Sequence, residues 1–276
     1  MAESFGVRLR DRRRTFGALC VGIDPSASVV EAWGRASSIE GLEYVARETV
    51  EVVSELVTAI KIQVAFFERF GSAGLRVMER LLDDAREVGV LVIADAKRGD
   101  IASTNEGYAE AWLGSASPLR SDAVTASPYL GVGALAPLYR VADETGRAVF
   151  VLAATSNEEG RDLQEARDAE GRRVRDRVLD EVAARNNRDD GLGSIGVVLG
   201  ATREPPAFDL ARVGGPVLVP GVGAQGGTLE QVARLSESCA PDSVLVNVSR
   251  AITAAGPDRG RLRDATRRWR DDVAAL

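Results

Sequence analysis

The sequence predicts an α/β protein that folds as one (β/α)8 barrel of the TIM type. Short apolar runs alternate with longer segments whose apolar residues lie on one helical face, the pattern of strands followed by helices. Eight such units fit within the 276 residues, and a barrel of this type takes about 250 residues. A doubly wound open sheet is the alternative that the same alternation leaves open.

The predicted strands are short apolar runs, and several of them end at polar residues. In chain order they cover 18–24, 59–62, 90–94, 122–125, 148–152, 195–199, 216–219 and 243–246. Two helices are expected to begin at capping boxes, in which a serine and a glutamate bond to free backbone N–H groups. These boxes are Ser37-x-x-Glu40 and Ser103-x-x-Glu106.

The chain is expected to form a single domain over residues 1–276, because no proline-rich or low-complexity linker divides it. Residues 157–193 are its least regular part, and we interpret them as a helical insertion. Within this segment, the apolar spacing from Val174 to Val182 predicts a helix.

The composition is that of an ordinary globular chain, with 45% hydrophobic and 28% charged residues. Its net charge of −6 gives no general attraction for nucleic acid, so any anion must be held by a local site. No apolar run approaches membrane-spanning length, and the arginine-rich N-terminus lacks the apolar stretch of a signal peptide. Cys20 and Cys239 are expected to be buried thiols, which suits a reducing cytoplasm.

The sequence contains no histidine. This absence excludes Ser-His and Cys-His nucleophile systems and removes the usual zinc ligands. Acid–base chemistry therefore falls to Lys, Asp, Glu, Tyr or Cys side chains.

The most distinctive stretch is Asp95-Ala-Lys97-Arg-Gly-Asp100, which follows the apolar run 90–94. Such a run is typical of a strand buried on both faces in a parallel sheet. Since side chains alternate along a strand, Asp95 and Lys97 are expected to point to the same side, with Asp100 on the loop beyond. Charges at the carboxyl end of a buried strand indicate a reaction site, although an incidental ion pair on a solvated loop is the commoner origin of a D-x-K pattern.

Lys61 is a second unusual charge, because lysine inside an apolar run is poor core material unless a carboxylate partners it. A barrel brings the carboxyl ends of all its strands to one face, so distant residues can converge there. Lys61, Lys97, Asp95 and Asp100 would supply two positive and two negative charges that can satisfy one another in a closed site. Asp24, at the end of the first strand, would face the same region.

A glycine-rich segment, 220–227, follows the seventh predicted strand, and Arg250 follows the eighth. Glycines let backbone N–H groups approach an anion, and the next helix offers its positive end. An arginine fork suits phosphate, which barrels often bind at the loops after these two strands. A flexible turn would explain the glycine-rich segment alone, and a surface position would explain the arginine alone. The two features together predict a phosphate site.

These motifs resemble those of the orotidine 5′-phosphate decarboxylase family, in particular its longer bacterial branch. The matching segments are A-F-F-E at 65–68, D-A-K-R-G-D-I at 95–101, T-S-N at 155–157, P-G-V-G-A-Q-G-G at 220–227 and N-V-S-R-A-I at 247–252. The resemblance covers nearly the whole chain. It implies conversion of orotidine 5′-monophosphate (OMP) to UMP and CO2 in pyrimidine biosynthesis, by a carboxy-lyase that uses no metal and no organic cofactor.

The resemblance also implies roles for particular residues. Lys97 would stabilise and protonate the carbanion, Asp95 would lie near the substrate carboxylate, and Lys61 and Asp100 would complete the catalytic set. The implied substrate-binding residues are Asp24 at the ribose, Ser156 at the pyrimidine, Gly221, Gly223, Gln225 and Arg250 at the phosphate, and Thr104. The resemblance further implies a cytoplasmic homodimer in which Asp100 enters the site of the neighbouring subunit.

Two other functions remain open at this point. A magnesium-dependent sugar-phosphate aldolase or decarboxylase of the same barrel type has a related D-x-K-x-x-D motif. Loss of activity with a chelator would favour this alternative. Ser156 and Gln225, which suit a pyrimidine amide and phosphate, argue against it. A non-catalytic barrel that binds a phosphate ligand would not need the four charges. Neither nucleic acid nor a membrane is expected as a partner.

Overall fold

The computed structural model describes residues 3–186, 191–202 and 208–276. Eight parallel strands pair in sequence order, and β8 pairs with β1 to close a barrel. This confirms the (β/α)8 prediction, and the closure excludes the open sheet. The strands are β1 (Leu19–Ile23), β2 (Ala59–Gln63), β3 (Leu91–Arg98), β4 (Ala123–Ala126), β5 (Ala148–Ala154), β6 (Ile195–Leu199), β7 (Val217–Val219) and β8 (Val244–Val248).

Helices separate the strands and cover the outside of the barrel. Short 3₁₀ helices cover Val132–Leu135, Glu158–Gly160 and Leu210–Val213. No helix in the described parts of the chain is long and apolar enough to cross a membrane. The α-helices are α1 (Phe5–Phe16), α2 (Ala27–Ala32), α3 (Ile39–Val53), α4 (Ala65–Glu68), α5 (Gly71–Glu87), α6 (Ala102–Leu113), α7 (Ala136–Thr145), α8 (Arg161–Glu165), α9 (Val174–Arg185), α10 (Leu229–Ser236), α11 (Arg250–Thr253) and α12 (Arg259–Ala274).

Two hydrophobic cores hold this architecture together, one between strands and helices and one inside the barrel. The inner core is closed at the amino-terminal end of the barrel by α1, whose Phe5 and Leu9 are fully buried in it. The Phe5 ring meets Phe150 of β5 edge-to-face, with centroids 6.0 Å apart. The barrel is therefore sealed at this end, and its site must lie at the other.

The arginines of α1 fasten this seal. Arg12 donates hydrogen bonds to the carbonyls of Val57 and Gly89, each at 2.8 Å. Arg8 pairs with Asp122 just before β4, and Arg13 donates to the carbonyl of Val244. The arginine-rich N-terminus thus satisfies backbone carbonyls where the strands begin.

The first predicted capping box is displaced by one residue. Ser38 rather than Ser37 caps α3, and its hydroxyl accepts the Gly41 N–H at 3.3 Å. The helix therefore begins at Ile39.

The second predicted box, at Ser103, does not form, because α6 begins two residues earlier than this cap would place it, at Ala102, and has no side-chain cap. Asn105 instead secures this end: its Oδ1 accepts the Asp100 N–H at 3.0 Å, and its amide donates to the Ala134 carbonyl at 2.6 Å. A side chain from within the helix therefore ties its first turn to the preceding loop and to the segment before α7.

The segment predicted as a helical insertion contains α9, as the apolar spacing indicated. Because α9 packs against β5 and β6, it occupies the position of a barrel helix. What is added to the barrel is the shorter stretch before it, with α8 and an antiparallel bridge between Arg167 and Arg173. Residues 187–190 of the predicted insertion lie outside the described residues.

Both cysteines are free thiols. Cys20 faces the inner core and is fully buried, where burial raises its pKa to about 12. Cys239 is only partly buried, so the prediction of two buried thiols is right for Cys20 alone.

Candidate active site

A cavity of about 240 Å³ opens at the carboxyl ends of the strands. Every strand, or the loop that follows it, contributes a lining residue, as the barrel topology requires. Of the predicted site residues, eight line this cavity and three do not. Those that line it are Asp24, Lys61, Asp95, Lys97, Ser156, Gly221, Gln225 and Arg250, and the other three are Asp100, Thr104 and Gly223.

Asp95 is the centre of the site and receives four hydrogen bonds. Its Oδ2 accepts from Lys61 Nζ at 2.9 Å and from Gln63 Nε2 at 3.1 Å. Its Oδ1 accepts from Lys97 Nζ at 2.7 Å and from the Thr125 hydroxyl at 2.8 Å. These donors come from β2, β3 and β4, so the carboxylate ties three neighbouring strands together.

The charges of Lys61 and Asp95 stabilise each other inside the protein. Burial alone would raise the pKa of the Asp95 carboxyl, but Lys61 and Lys97 hold this pKa well below its usual value. Burial would lower the pKa of Lys61, but Asp24 and Asp95 raise this pKa above its usual value. At neutral pH the site therefore holds a carboxylate and an ammonium ion, although both side chains are less than a tenth exposed.

Three of the four charged residues predicted to meet, Lys61, Asp95 and Lys97, do meet here. The second carboxylate is that of Asp24, whose Oδ1 lies 3.7 Å from Lys61 Nζ. Asp100 does not join them within its own chain. We refer to Asp24, Lys61, Asp95 and Lys97 as the charged cluster.

Lys97 reaches Asp95 through an irregular backbone rather than through simple strand alternation. Its φ angle is +48°, a left-handed conformation that costs a residue with a side chain on the order of 1–3 kcal/mol. The pairing of β3 with β4 shifts register between Ala94 and Arg98, around this residue. The Lys97 side chain is 45% exposed, so its ammonium group is available to a molecule in the cavity.

The loops after β5 and β7 meet across the cavity. The Ser156 hydroxyl donates to Gln225 Oε1 at 2.7 Å. Gly221 permits this approach, because its φ is +93° and an added Cβ would lie 3.1 Å from the same Gln225 oxygen. Arg250 donates to the Ala224 carbonyl at 3.1 Å, so the predicted phosphate loop and arginine are adjacent.

Gly223 has a structural role in this loop. Its φ is +75°, and its N–H donates to the Gly227 carbonyl at 2.8 Å. Its backbone donor is therefore engaged within the loop, which accounts for its position outside the cavity lining.

Asp100 and Thr104 lie on the other side of the β3–α6 connection. Asp100 accepts the Ile101 N–H at 2.8 Å, and Thr104 is exposed on the first turn of α6. Neither lines the cavity of its own chain.

Polar residues of the site that were missed by sequence reasoning include Gln63, Thr125 and Asn247. All line the cavity, and Asn247 is 6% exposed with an Oδ1 that has no hydrogen-bond partner among the described residues. The only signal in the sequence is a single polar residue in or at the end of an apolar run, which is also common at ordinary strand ends. The described residues contain no group of three or more His, Cys, Asp or Glu side chains placed to hold a metal ion.

The fold and this cavity define the class as a (β/α)8-barrel protein with a charged site at the carboxyl ends of its strands. Within that class the match is specific, since the model of the orotidine 5′-phosphate decarboxylase / HUMPS family matches residues 17–265. The chain belongs to this family, and the resemblance inferred from its motifs is confirmed.

Relatives from several bacteria agree with this assignment. An orotidine 5′-phosphate decarboxylase of Corynebacterium efficiens is 50% identical over 269 residues, covering 96% of this chain and 95% of the relative. One from Salinispora tropica is 48% identical over 99% of this chain and 98% of its own length. A crystal structure from Streptomyces avermitilis, assigned as the same enzyme, superposes with a TM-score of 0.91 at 45% identity, covering 99% of this chain and 96% of that one. The sugar-phosphate and non-catalytic alternatives gain no support from these relatives.

Proposed function

We propose that this chain is an OMP decarboxylase, a carboxy-lyase that converts OMP to UMP and CO2 in pyrimidine biosynthesis. Its family and its relatives supply the reaction. The observation that carries the proposal is the Lys97 ammonium group, held at the cavity by the buried carboxylate of Asp95 at 2.7 Å.

Lys97 performs the chemical step. When the bond from C6 to the carboxyl carbon breaks, CO2 leaves and the electron pair remains on C6. The adjacent ammonium group stabilises this pair electrostatically and then transfers a proton from Nζ to C6, which gives UMP. The neutral amine that remains regains its proton from water, because Lys97 is partly exposed.

Asp95 orients Lys97 and confronts the substrate carboxylate. Lys61 and Lys97 keep its pKa low, so Asp95 remains negative when a second carboxylate approaches. The repulsion between the two carboxylates ends when CO2 departs, which would lower the barrier by ground-state destabilisation. We assign this effect less weight than the stabilisation by Lys97, which acts on the carbanion itself.

The remaining residues bind the nucleotide. Asp24 and Lys61 hold the ribose, Ser156 contacts the pyrimidine, and Gly221, Gln225 and Arg250 bind the phosphate, with Gly223 shaping that loop. Asn247 Oδ1 and Asp24 Oδ1 are buried acceptors without hydrogen-bond partners among the described residues, which suits a ligand that brings hydroxyl donors. Because the phosphate lies away from C6, its binding energy can drive closure of the loops that follow β5 and β7.

The working form of the enzyme is a homodimer. Asp100 and Thr104 would serve the site of the partner chain, which is supported by their absence from the lining of their own cavity. Ile101 is 58% exposed, and Tyr129 and Leu130, on the loop after β4, are 77% and 53% exposed. This apolar surface beside the cavity suits contact with a second copy. We expect the dimer to work in the cytoplasm, where its free thiols stay reduced.

Mixing two inactive variants tests the shared site. If Asp100 acts across the dimer, Lys97→Ala and Asp100→Ala chains can form mixed dimers with one intact site. Each variant alone would be nearly inactive, and refolding them together would recover about a quarter of the wild-type activity. No recovery from mixed dimers, verified by differential tagging, would contradict the shared site.

The activity itself is tested by the fall in OMP absorbance in the presence of a chelator. Wild-type protein is expected to turn over OMP without added metal, and Lys97→Ala to lose at least about a thousandfold in kcat. A requirement for magnesium, or no turnover of OMP, would contradict the proposal. Lys97→Ala with wild-type kcat would contradict the role of Lys97.

A further inference from the structure

The irregular part of β3 lies opposite a single residue of β4. Ala94 pairs with Val124 and Arg98 pairs with Ala126, so three residues of β3, 95–97, face only Thr125. In a regular parallel ladder, backbone groups of one strand bond to backbone groups of the other. Here the ladder is interrupted, and the Lys97 N–H needs another acceptor.

The Thr125 hydroxyl supplies that acceptor and also contacts the charged cluster. Its Oγ1 accepts the Lys97 N–H at 2.9 Å and donates to Asp95 Oδ1 at 2.8 Å. The same Oδ1 accepts the Lys97 ammonium group at 2.7 Å. The hydroxyl therefore fixes the backbone of Lys97 and the carboxylate that holds the tip of its side chain.

Only a hydroxyl can make both contacts at this position, because it offers one donor and two acceptor sites in a small volume. Thr125 is 1% exposed, and its branched side chain restricts rotation about χ1, so the direction of the hydroxyl is set by packing. The hydrogen bond from the Lys97 N–H to Thr125 stabilises a strained backbone, since a left-handed residue persists only where its surroundings hold it.

We propose that Thr125 is a positioning residue of the reaction centre, whose hydroxyl holds Lys97 in its left-handed conformation and aims its ammonium group at the reacting carbon. This inference rests on the proposed decarboxylase activity. The Thr125 hydroxyl acts through Lys97 and Asp95, so removing this hydroxyl should impair the chemical step more than nucleotide binding.

The test compares Thr125→Val, which keeps the shape and removes the hydroxyl, with Thr125→Ser, which keeps the hydroxyl. Thr125→Val is expected to lower kcat for OMP roughly 10- to 100-fold with KM changed less than about threefold, since small misplacements of a reacting group have large effects on rate. Thr125→Ser is expected to retain kcat within about threefold. Thr49→Val is the matched control: Thr49 is equally buried, but its hydroxyl donates to a helix carbonyl, that of Val45.

A second measurement follows proton transfer at C6 directly. Exchange of the C6 hydrogen of UMP for deuterium from solvent, observed by NMR, should slow in Thr125→Val in parallel with kcat. Thr125→Ala gives the same comparison if the valine variant does not fold, since it also lacks the hydroxyl and places no methyl group against the carboxylate.

The outcomes separate this inference from the proposed function. Wild-type protein that does not turn over OMP would overturn both. Wild-type turnover with kcat and exchange undiminished in a folded variant without the hydroxyl would overturn the positioning role alone. A fall in Thr125→Ser as large as in Thr125→Val, or an equal fall in Thr49→Val, would also overturn it.

Discussion

Replacing Asp95 by asparagine should separate the stability of the charged cluster from its reactivity. The change keeps the shape of the side chain and removes its charge, which leaves Lys61 buried with only Asp24, at 3.7 Å, as a carboxylate partner. Removing one partner of a buried pair costs about 3–5 kcal/mol in the free energy of unfolding. Because Asp24 remains, we expect about 3 kcal/mol, or roughly 6–12 °C in Tm for a domain of this size.

Lys97→Ala is the matched comparison. It removes a positive charge that pairs with the Asp95 carboxylate, whereas Asp95→Asn removes the negative charge of that carboxylate. The Lys97 side chain is 45% exposed, against 6% for Lys61. Exposed ion pairs contribute about 0–1 kcal/mol, so this variant should unfold within about 1 kcal/mol of wild type. Both variants should lose activity, but only Asp95→Asn should lose substantial stability.

The pH dependence of this difference follows from the directions of the two pKa shifts. The pKa of Asp95 is lowered in the folded protein. Its charge therefore contributes to the free energy of unfolding above the ordinary pKa of 3.8, and this contribution is lost as the pH falls through the lower folded pKa. The pKa of Lys61 is raised, so its contribution is present below its ordinary 10.5 and is lost as the pH rises through the higher folded value. The difference between wild type and Asp95→Asn, measured by urea unfolding, should therefore stay constant between about pH 5 and 9.

Asp95→Asn that is as stable as wild type would refute this reasoning. Such a result would mean that Lys61 is stabilised in the interior without the carboxylate, or that it loses its proton at little cost. A stability difference that changes steeply between about pH 5 and 9 would point to a different titrating group.

Three further variants test other parts of the structure. Arg250→Ala should raise KM for OMP about 10- to 100-fold while leaving the reaction of phosphate-free orotidine unchanged, as expected for a charged hydrogen bond; equal effects on both substrates would place the phosphate elsewhere. Ser156→Ala removes the 2.7 Å bond to Gln225 and should raise KM about two- to tenfold, so a change confined to kcat would argue against a role of Ser156 in substrate binding. Phe5→Ala should lower the free energy of unfolding by about 3–5 kcal/mol with KM unchanged, and altered KM at equal stability would show that α1 affects the open end of the barrel.

The strand pattern could be predicted from the sequence because the strands are apolar runs buried on both faces. β6 matches its prediction at both ends, since the apolar run 195–199 has glycine and serine on either side. β3 ends at Arg98, one residue after Lys97, which was expected with Asp95 at the end of this strand. What the sequence does not indicate is the register shift near that end, because Lys97 adopts a conformation that is typical of glycine.

The composition of the site could be predicted only in part, because it depends on strand register. Lys61 and Asp95 stood out as charges in apolar runs, and register places Gln63 of β2 beside Asp95 of β3. Gln63 and Thr125 carry no charge and are ordinary residues at strand ends, so pairing alone makes them neighbours of the carboxylate. Asp24 lies near Lys61, as expected, because the end of β1 lies beside β2, whereas Asp100 lies beyond the irregular end of β3.

The charged cluster divides its work between a buried pair and an accessible ammonium group. Lys61 and Asp95 are shielded from water, so their attraction is strong and holds both groups ionised. Lys97 shares the same carboxylate but extends into the cavity, where it can give up a proton and regain it from solvent. A single lysine could not do both, since a buried ammonium group held by two carboxylates would not release its proton readily. In the proposed mechanism, the second lysine lets Asp95 remain a fixed anion while Lys97 passes through its neutral form in each turnover.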